Sequence, residues 1–302
     1  MNRIIISLVI FSTLGFSSKA QDGYFQQGEF GFTVGMAHYF GDLNTSAGLN
    51  KPKPAIGLFF RKQFGDYIGM RVSGRFAQLG FSDTYSKNEY QKTRNLSFNS
   101  NIFEFAVQGD FNFFKYIPNN LDFGFTPYVT LGVGVFSFDP YTVYDGEKYY
   151  LQQLGTEGQN FGYLGRQPYS LMAICIPLGV GIKYSVNPKV NLSFEITQRF
   201  TTTDYLDDVS TTFAPNYRTT NAADPNVPDC FPTDQPAGPG GQYIPSTGYI
   251  LQDRSDEIVG DNSRLSNVLG RQRGWSKQKD QYLIAEIGIS FNIGSYRCPT
   301  AN

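Results

Sequence analysis

The sequence predicts an all-β protein, a transmembrane antiparallel eight-stranded up-and-down β-barrel with long outer loops, and three observations predict it. Eight stretches alternate apolar and polar side chains with a period of two, the signature of strands whose successive side chains point to opposite sides. All but one of the charges in those stretches fall on the polar side, which is otherwise rich in Gly, Ala, Ser and Thr, while the opposite side is bulky. Beyond the N-terminus no stretch has the ~18 uncharged apolar residues of a membrane helix, and lipid then admits only a closed barrel in which every backbone group is paired.

The first strand is read over Glu29 to Phe40, EFGFTVGMAHYF, with Phe30, Phe32, Val34, Met36, His38 and Phe40 on one face. The same alternation gives strands over Ala55 to Phe64, Tyr67 to Phe81, Phe98 to Phe114, Phe123 to Phe138, Leu171 to Ser185, Val190 to Thr201 and Gln281 to Ile293. Each is near or above the ~9–11 tilted residues that cross a membrane, and the count is even, as single-chain bacterial barrels require. Aromatic residues make up 16% of the chain, 27 Phe and 20 Tyr against one Trp. Girdles at two membrane interfaces would use such an excess. A soluble β-sandwich also alternates, so the placement of charge carries more weight than composition.

Parity puts Glu29, Arg61, Arg71, Arg75, Glu104, Asp110, Lys183, Glu195, Arg199 and Glu286 on the small, polar faces. The bulky faces carry one charge, Lys62, near a strand end where its stem can snorkel to the interface. A charge facing lipid at the midplane costs roughly 2–4 kcal/mol, so this sorting is what a membrane barrel needs. Eight strands enclose an interior that side chains fill, and buried charges persist there only in pairs. Counting from the shared turns puts Arg71 level with Asp110, and Arg75 near Glu104 and Gln108. The expectation is a structural salt-bridge network that plugs the lumen.

The N-terminus reads as an export signal over residues 1–20. Met1-Asn2-Arg3 is followed by an apolar run too short to span a membrane and by Ser18-Lys19-Ala20 as a cleavage site, leaving Gln21 first in a single barrel domain over 21–302. Connections then alternate. Short turns at Gly65-Asp66, 115–122 and Asn187-Pro188 are assigned to the periplasm, and loops over 41–54, 82–97, 139–170 and 202–280 to the outside of a Gram-negative outer membrane. Outer-membrane lipid is therefore an expected partner. A net charge of −1 without basic clusters argues against nucleic acid.

The loops are where function has to live. From Asp204 to Asp261 the last loop holds ten acids against Arg218 and Arg254, and its remainder holds Arg264, Arg271, Arg273, Lys277 and Lys279. Such a bipolar segment either docks on a partner surface, folds back on itself, or is a solvated, partly disordered loop. The acidic clusters Asp204, Asp207, Asp208 and Asp253, Asp256, Glu257 lack the ligand spacing of an EF-hand, so no metal or cofactor is expected. The lone histidine, His38, falls by parity on the lipid side near the outer interface. No Walker loop, HExxH or GxSxG is present, and a non-enzymatic protein is expected; a barrel enzyme using His38 with Asp42 is the competing class. Cys175 in the lumen, Cys230 in the long loop and Cys298 on the periplasmic tail are too separated to pair, which leaves Cys298 either a disulfide to another protein or a free thiol.

Six strings occur in order: Gly41-Asp42-Leu43-Asn44, PAIGLFFR (54–61), RNLSF (94–98), FNFF (111–114), LQQLGTEGQ (151–159) and TDYLDDVST (203–211). Together, from about Glu29 to Ile293, they resemble the PorG family of the type IX secretion system. The resemblance implies an outer-membrane barrel that associates with the periplasmic PorK and PorN ring and other secretion components. It implies a need for the protein in secreting cargo with a type IX signal, in some bacteria alongside gliding motility. It brings no catalytic residues. The Pro/Gly-rich stretch from about Ala214 to Gly248 is longer than the family pattern and leaves open a paralogue with another partner. A small barrel serving as structural anchor or adhesin is the alternative. Geometry assigns ring contact to the turns and tail, Tyr116 to Asn120 and Tyr296 to Asn302, with Tyr116, Asn119, Asn120 and Cys298 as contact residues.

Overall fold

Eight long strands close on themselves. The computed structural model describes residues 28–45, 51–118, 121–215, 231, 246–260 and 263–293; the expected export signal, Asn119, Asn120, Cys230, Cys298 and the tail from Tyr296 lie outside them. The staves are β1 (Gly28–Phe40), β2 (Lys53–Phe64), β3 (Ile68–Ser82), β4 (Ser97–Asn112), β5 (Phe125–Ser137), β8 (Met172–Asn187), β9 (Val190–Thr201) and β10 (Gln281–Ile293). Hydrogen-bonded order runs β3-β2-β1-β10-β9-β8-β5-β4, and β3 pairs with β4 to complete the circle, every seam antiparallel. The expected strands match these within two residues at each end. Two short strands that alternation did not reveal, β6 (Tyr141–Tyr144) and β7 (Glu147–Tyr150), form a hairpin in the third loop and touch β4 through Asn99↔Tyr141. The β5–β8 ladder skips between Leu131↔Leu178 and Gly134↔Cys175, where Pro177 has no N–H to give.

Burial follows parity. Phe30, Phe32, Val34 and Met36 of β1 are 40–62% exposed, and Ile56, Leu58, Phe103, Phe105, Val133, Val135, Ile174 and Ile287 continue the same apolar surface around the other staves. An apolar surface of this extent on a water-facing protein would aggregate; on a closed barrel it is the lipid-facing belt. Among the described residues no helix is long and apolar enough to cross a membrane, and the strands make the crossing. Lys62 lies half-buried beside Phe64, its Nζ 5.7 Å from that ring.

The two ends differ. One has tight connections such as Gly65-Asp66, where Gly65 adopts φ +77. The other carries the long loops, which fold into short helices (Glu89–Arg94, Leu151–Leu154, Thr247–Gln252, Asp256–Val259) and pack down on the mouth. There Leu43, Leu206, Val209 and Leu251 from the loops join Tyr39, Phe98, Phe136 and Tyr282 from the staves in one buried cluster. That cluster is the largest hydrophobic core described, and it sits under the cap.

Candidate functional site

Inside the barrel the ten charges predicted to face inward are all at most 5% exposed. Near the turn end, Arg61 bridges Glu29 and Asp110 at 2.8 Å each, and Asp110 also meets Lys183 at 2.9 Å. At mid-height Arg71 meets Glu195 at 2.7 Å, and the Tyr128 hydroxyl donates to the same carboxylate at 2.6 Å. Nearer the mouth, Arg75 pairs with Glu286 at 2.7 Å and Glu104 at 3.4 Å, while Glu104 also accepts from Arg199 at 3.0 Å and Tyr282 at 2.7 Å. The Cys175 thiol lies 4.0 Å from Glu104. Every carboxylate has a cation and every cation a carboxylate, the condition under which buried charge is tolerable.

Above the lumen the cap is stitched by the loop strings themselves. Gly41 passes so close to the mouth that a Cβ there would lie 2.0 Å from both Asp280 Oδ1 and the Tyr39 hydroxyl oxygen. Asp42 accepts the Trp275 N–H on both carboxylate oxygens (3.0 and 2.9 Å), and its carbonyl accepts from Gln91 and Arg94. Leu43 N–H donates to Asp207 at 3.2 Å, and the Asn44 amide donates to the Tyr39 carbonyl at 2.8 Å. In the string from Thr203 to Thr211, Asp204 accepts from Ser210 (2.6 Å) and Asp207 from Tyr39 (2.5 Å), while Asp208 accepts from Thr156 (2.5 Å) and Tyr169 (2.8 Å). Glu157 of the third loop answers with bonds to the Ser210 and Thr211 N–H groups and to Arg273. Arg273 also donates to the carbonyls of Gln252 and Asp208, and Arg94 grips Asp83 through two bonds of 2.8 Å.

This cap is rich in buried carboxyls. Burial, ahead of any neighbouring charge, pushes Asp207 and Asp280 well above the usual carboxylate range; Asp42 adds to the rise at Asp207, and Asp207 to that at Asp280. Burial likewise lifts Asp42 and Asp208 to about 6 and Asp204 to about 7. Against that rise, Arg273 and hydrogen bonds from Thr156 and Tyr169 pull Asp208 down, while Asp42 adds to the rise at Asp204.

Several expectations change here. Arg71 reaches across the lumen to Glu195 on β9 instead of Asp110, because the register sets Asp110 opposite Gly69 and Arg71 opposite Gln108. Arg75 does approach Glu104 and Gln108, at 3.4 and 3.5 Å. Tyr116 is no surface contact: it is buried, its hydroxyl 3.3 Å from Ser185 Oγ and its ring 5.9 Å from Lys183 Nζ, closing the turn end from inside. His38 does not face lipid; it is 3% exposed, with Asn44 folded over it at 3.0 Å and Phe40 edge-on at 4.8 Å. Asp204, Asp207 and Asp208 are buried cap residues, not a solvated cluster. In the second acidic cluster Asp253 accepts backbone N–H groups of Ser255 and Ser266, and Asp256 and Glu257 pair with Arg264 and Arg254. Among the described residues no three of His, Cys, Asp and Glu are placed to hold a metal ion. Sequence reading missed Tyr39, Glu157, Arg273 and Asp280 as organisers of the cap. The signal for Glu157 was its place in one of the six strings.

A family model described as a domain of unknown function, DUF6089, matches residues 3–230. The chain belongs to this family. The match takes in seven of the eight staves, β1 to β5, β8 and β9, and three of the four loop segments that build the cap of this DUF6089 barrel. No curated protein matches the chain in sequence. Among solved structures the chain is similar to the N-terminal β-barrel domain of OprF from Pseudomonas aeruginosa, at 10% identity over 88% of this chain and 100% of that one, with a TM-score of 0.34. It is also similar to Neisserial surface protein A (8% identity, 88% and 97% covered, TM-score 0.39). A third is OprG from Pseudomonas aeruginosa (12%, 90% and 99%, TM-score 0.36).

Proposed function

We propose that this protein is a non-enzymatic outer-membrane component of the type IX secretion system. In this reading its loops face outward from a Gram-negative cell and its turn end engages the periplasmic PorK/PorN ring. The supporting observation is convergence. Four of the strings that carry the PorG resemblance, Gly41–Asn44, RNLSF, LQQLGTEGQ and TDYLDDVST, lie far apart in sequence yet bond to one another or to shared partners in a single cap. Strings that share one structural task mark a family architecture more strongly than strings scattered on the surface. With Tyr116 inside, ring contact on the described turns falls to the surface around Asp66, Lys115 and Lys189.

Deleting the gene and measuring secreted type IX cargo tests the reading. Loss of secretion, restored by the wild-type chain, is expected. Normal secretion from a strain lacking the protein contradicts it. A second reading, an anchor or adhesin acting through the loops, is favoured by the apolar side chains exposed on the cap, such as Leu164 at 72%. It predicts that loop substitutions abolish surface attachment and leave secretion intact.

A further inference from the structure

A cleft opens in the cap between the Gly41–Thr45 turn, the helix Glu89–Arg94 with its preceding Asn88, and the segment Arg271–Gln278. Its volume of about 450 Å³ lies within the ~300–1,000 Å³ of small-molecule sites. Two aromatic rings stand in its walls. Trp275, the chain's single tryptophan, is 53% exposed, and its backbone N–H is fastened to Asp42 by two bonds. Gly274 permits that approach, since a Cβ there would lie 2.4 Å from Asp42 Oδ2. Tyr90 is fixed by its hydroxyl, which donates to the Gln272 carbonyl, and Arg271 sits 5.7 Å from its ring centre.

The floor is charged but spent. Arg94 and Arg273 line the cleft, yet both are buried and their guanidinium groups are engaged by Asp83, Glu157 and backbone carbonyls. The guanidinium left to a ligand is that of Arg271, which also lines the cleft and lies over the Tyr90 ring. What else remains free to a ligand is neutral and two-sided in hydrogen bonding: the exposed side chains of Gln272, Gln278 and Thr45, and the amide N–H₂ of Asn88, whose Oδ1 already caps Tyr90 N–H. Aromatic faces beside carboxamides suit a ligand with apolar C–H faces and many hydroxyl groups that both give and accept hydrogen bonds. A pyranose ring is that ligand.

We propose that this cleft binds a short oligosaccharide, stacking a sugar ring on Trp275 with Tyr90 opposite and reading its hydroxyl groups through Gln272, Gln278 and Asn88. The proposal is independent of the secretion reading, because either kind of barrel meets glycans at the cell surface.

The test uses the full chain in phospholipid nanodiscs or in a detergent without a sugar headgroup, applied to an array of bacterial and host oligosaccharides. The best binder is then titrated while Trp275 emission is followed. At least one oligosaccharide is expected to bind and shift the emission, with affinity unchanged between low salt and 0.5 M NaCl. By calorimetry, Trp275→Ala and Tyr90→Ala are each expected to weaken binding by about tenfold or more, while Trp275→Phe keeps most of it. Phe161→Ala, at an exposed aromatic that does not line the cleft, is expected to change nothing. Heat-modified mobility on gels reports that each variant barrel is folded. Silence across the whole array overturns the proposal. So does binding that survives both aromatic substitutions in folded protein, or binding that salt or Arg271→Ala abolishes while Trp275→Ala does not.

Discussion

The lumen and the cap both bury carboxyl groups, and they do so in opposite ways. In the lumen five carboxylates meet five cations across the staves, each within ion-pair distance of at least one partner. In the cap Asp204, Asp207 and Asp280 crowd the mouth, and among the described residues none has a cation within ion-pair distance. They are bonded instead to Tyr39, Ser210 and backbone N–H groups of Leu43, Leu206 and Val209. Charge held by charge is insensitive to moderate pH, whereas carboxyls held by burial and neutral donors retain a proton until solution pH removes it. The barrel is therefore the fixed part of the molecule and the cap the adjustable part.

Replacing a carboxylate by its neutral isostere should separate the two regions most sharply. Glu104→Gln strips charge from a site shared by Arg75, Arg199 and Tyr282 and is expected to cost about 3–5 kcal/mol, read as urea unfolding of the barrel in lipid. Gly41→Ala, which drives a methyl group onto Asp280 and Tyr39, should cost about 1–3 kcal/mol. Its loss should fall on the cap alone: loops open to protease while the barrel keeps its heat-modified gel mobility. Asp207→Asn should have the smallest effect, within about 0.5 kcal/mol at acid pH, because burial already favours the neutral form of the group it replaces. At pH 8 the same variant should protect the cap from protease better than the wild type does. If Asp207→Asn proved as damaging as Glu104→Gln, the distinction between the regions would collapse.

How much of this could be read beforehand depended on what sets each feature. Parity set the staves and the inward charges, because a one-residue error would put Arg75 or Glu104 into lipid. Partners inside the lumen were less legible: adjacent register gave Arg75 with Glu104, but Arg71 meets Glu195 on a stave that is not its neighbour, and a long side chain crosses a narrow barrel freely. Tyr116 and His38 were misplaced because position in a turn or on a bulky face does not say which way a neighbouring loop will fold over it. The acidic run around Asp204 looked solvated on charge alone. Burial under Leu206, Val209 and Leu251 reversed that, and only long-range packing brings those residues together.

The contrast between regions reduces to protons. An exposed aspartate releases its proton near pH 4, whereas Asp42 and Asp208 hold theirs to about 6 and Asp204 to about 7. Folded cap thus binds more protons than opened cap. Its stability is complete below about pH 4, falls as pH rises through roughly 4 to 7, and stays low above. Hydrogen exchange in nanodiscs at pH 5 and pH 8, corrected for intrinsic rates, measures this directly at three amides that donate to the carboxyls in question: Leu43 to Asp207, Leu206 to Asp280 and Trp275 to Asp42. Those three should lose protection at pH 8 while stave amides such as Val72, Val107 and Ile196 stay unchanged. Equal protection of the cap at both pH values, or a parallel loss in the staves, would contradict a fixed barrel under a proton-held cap.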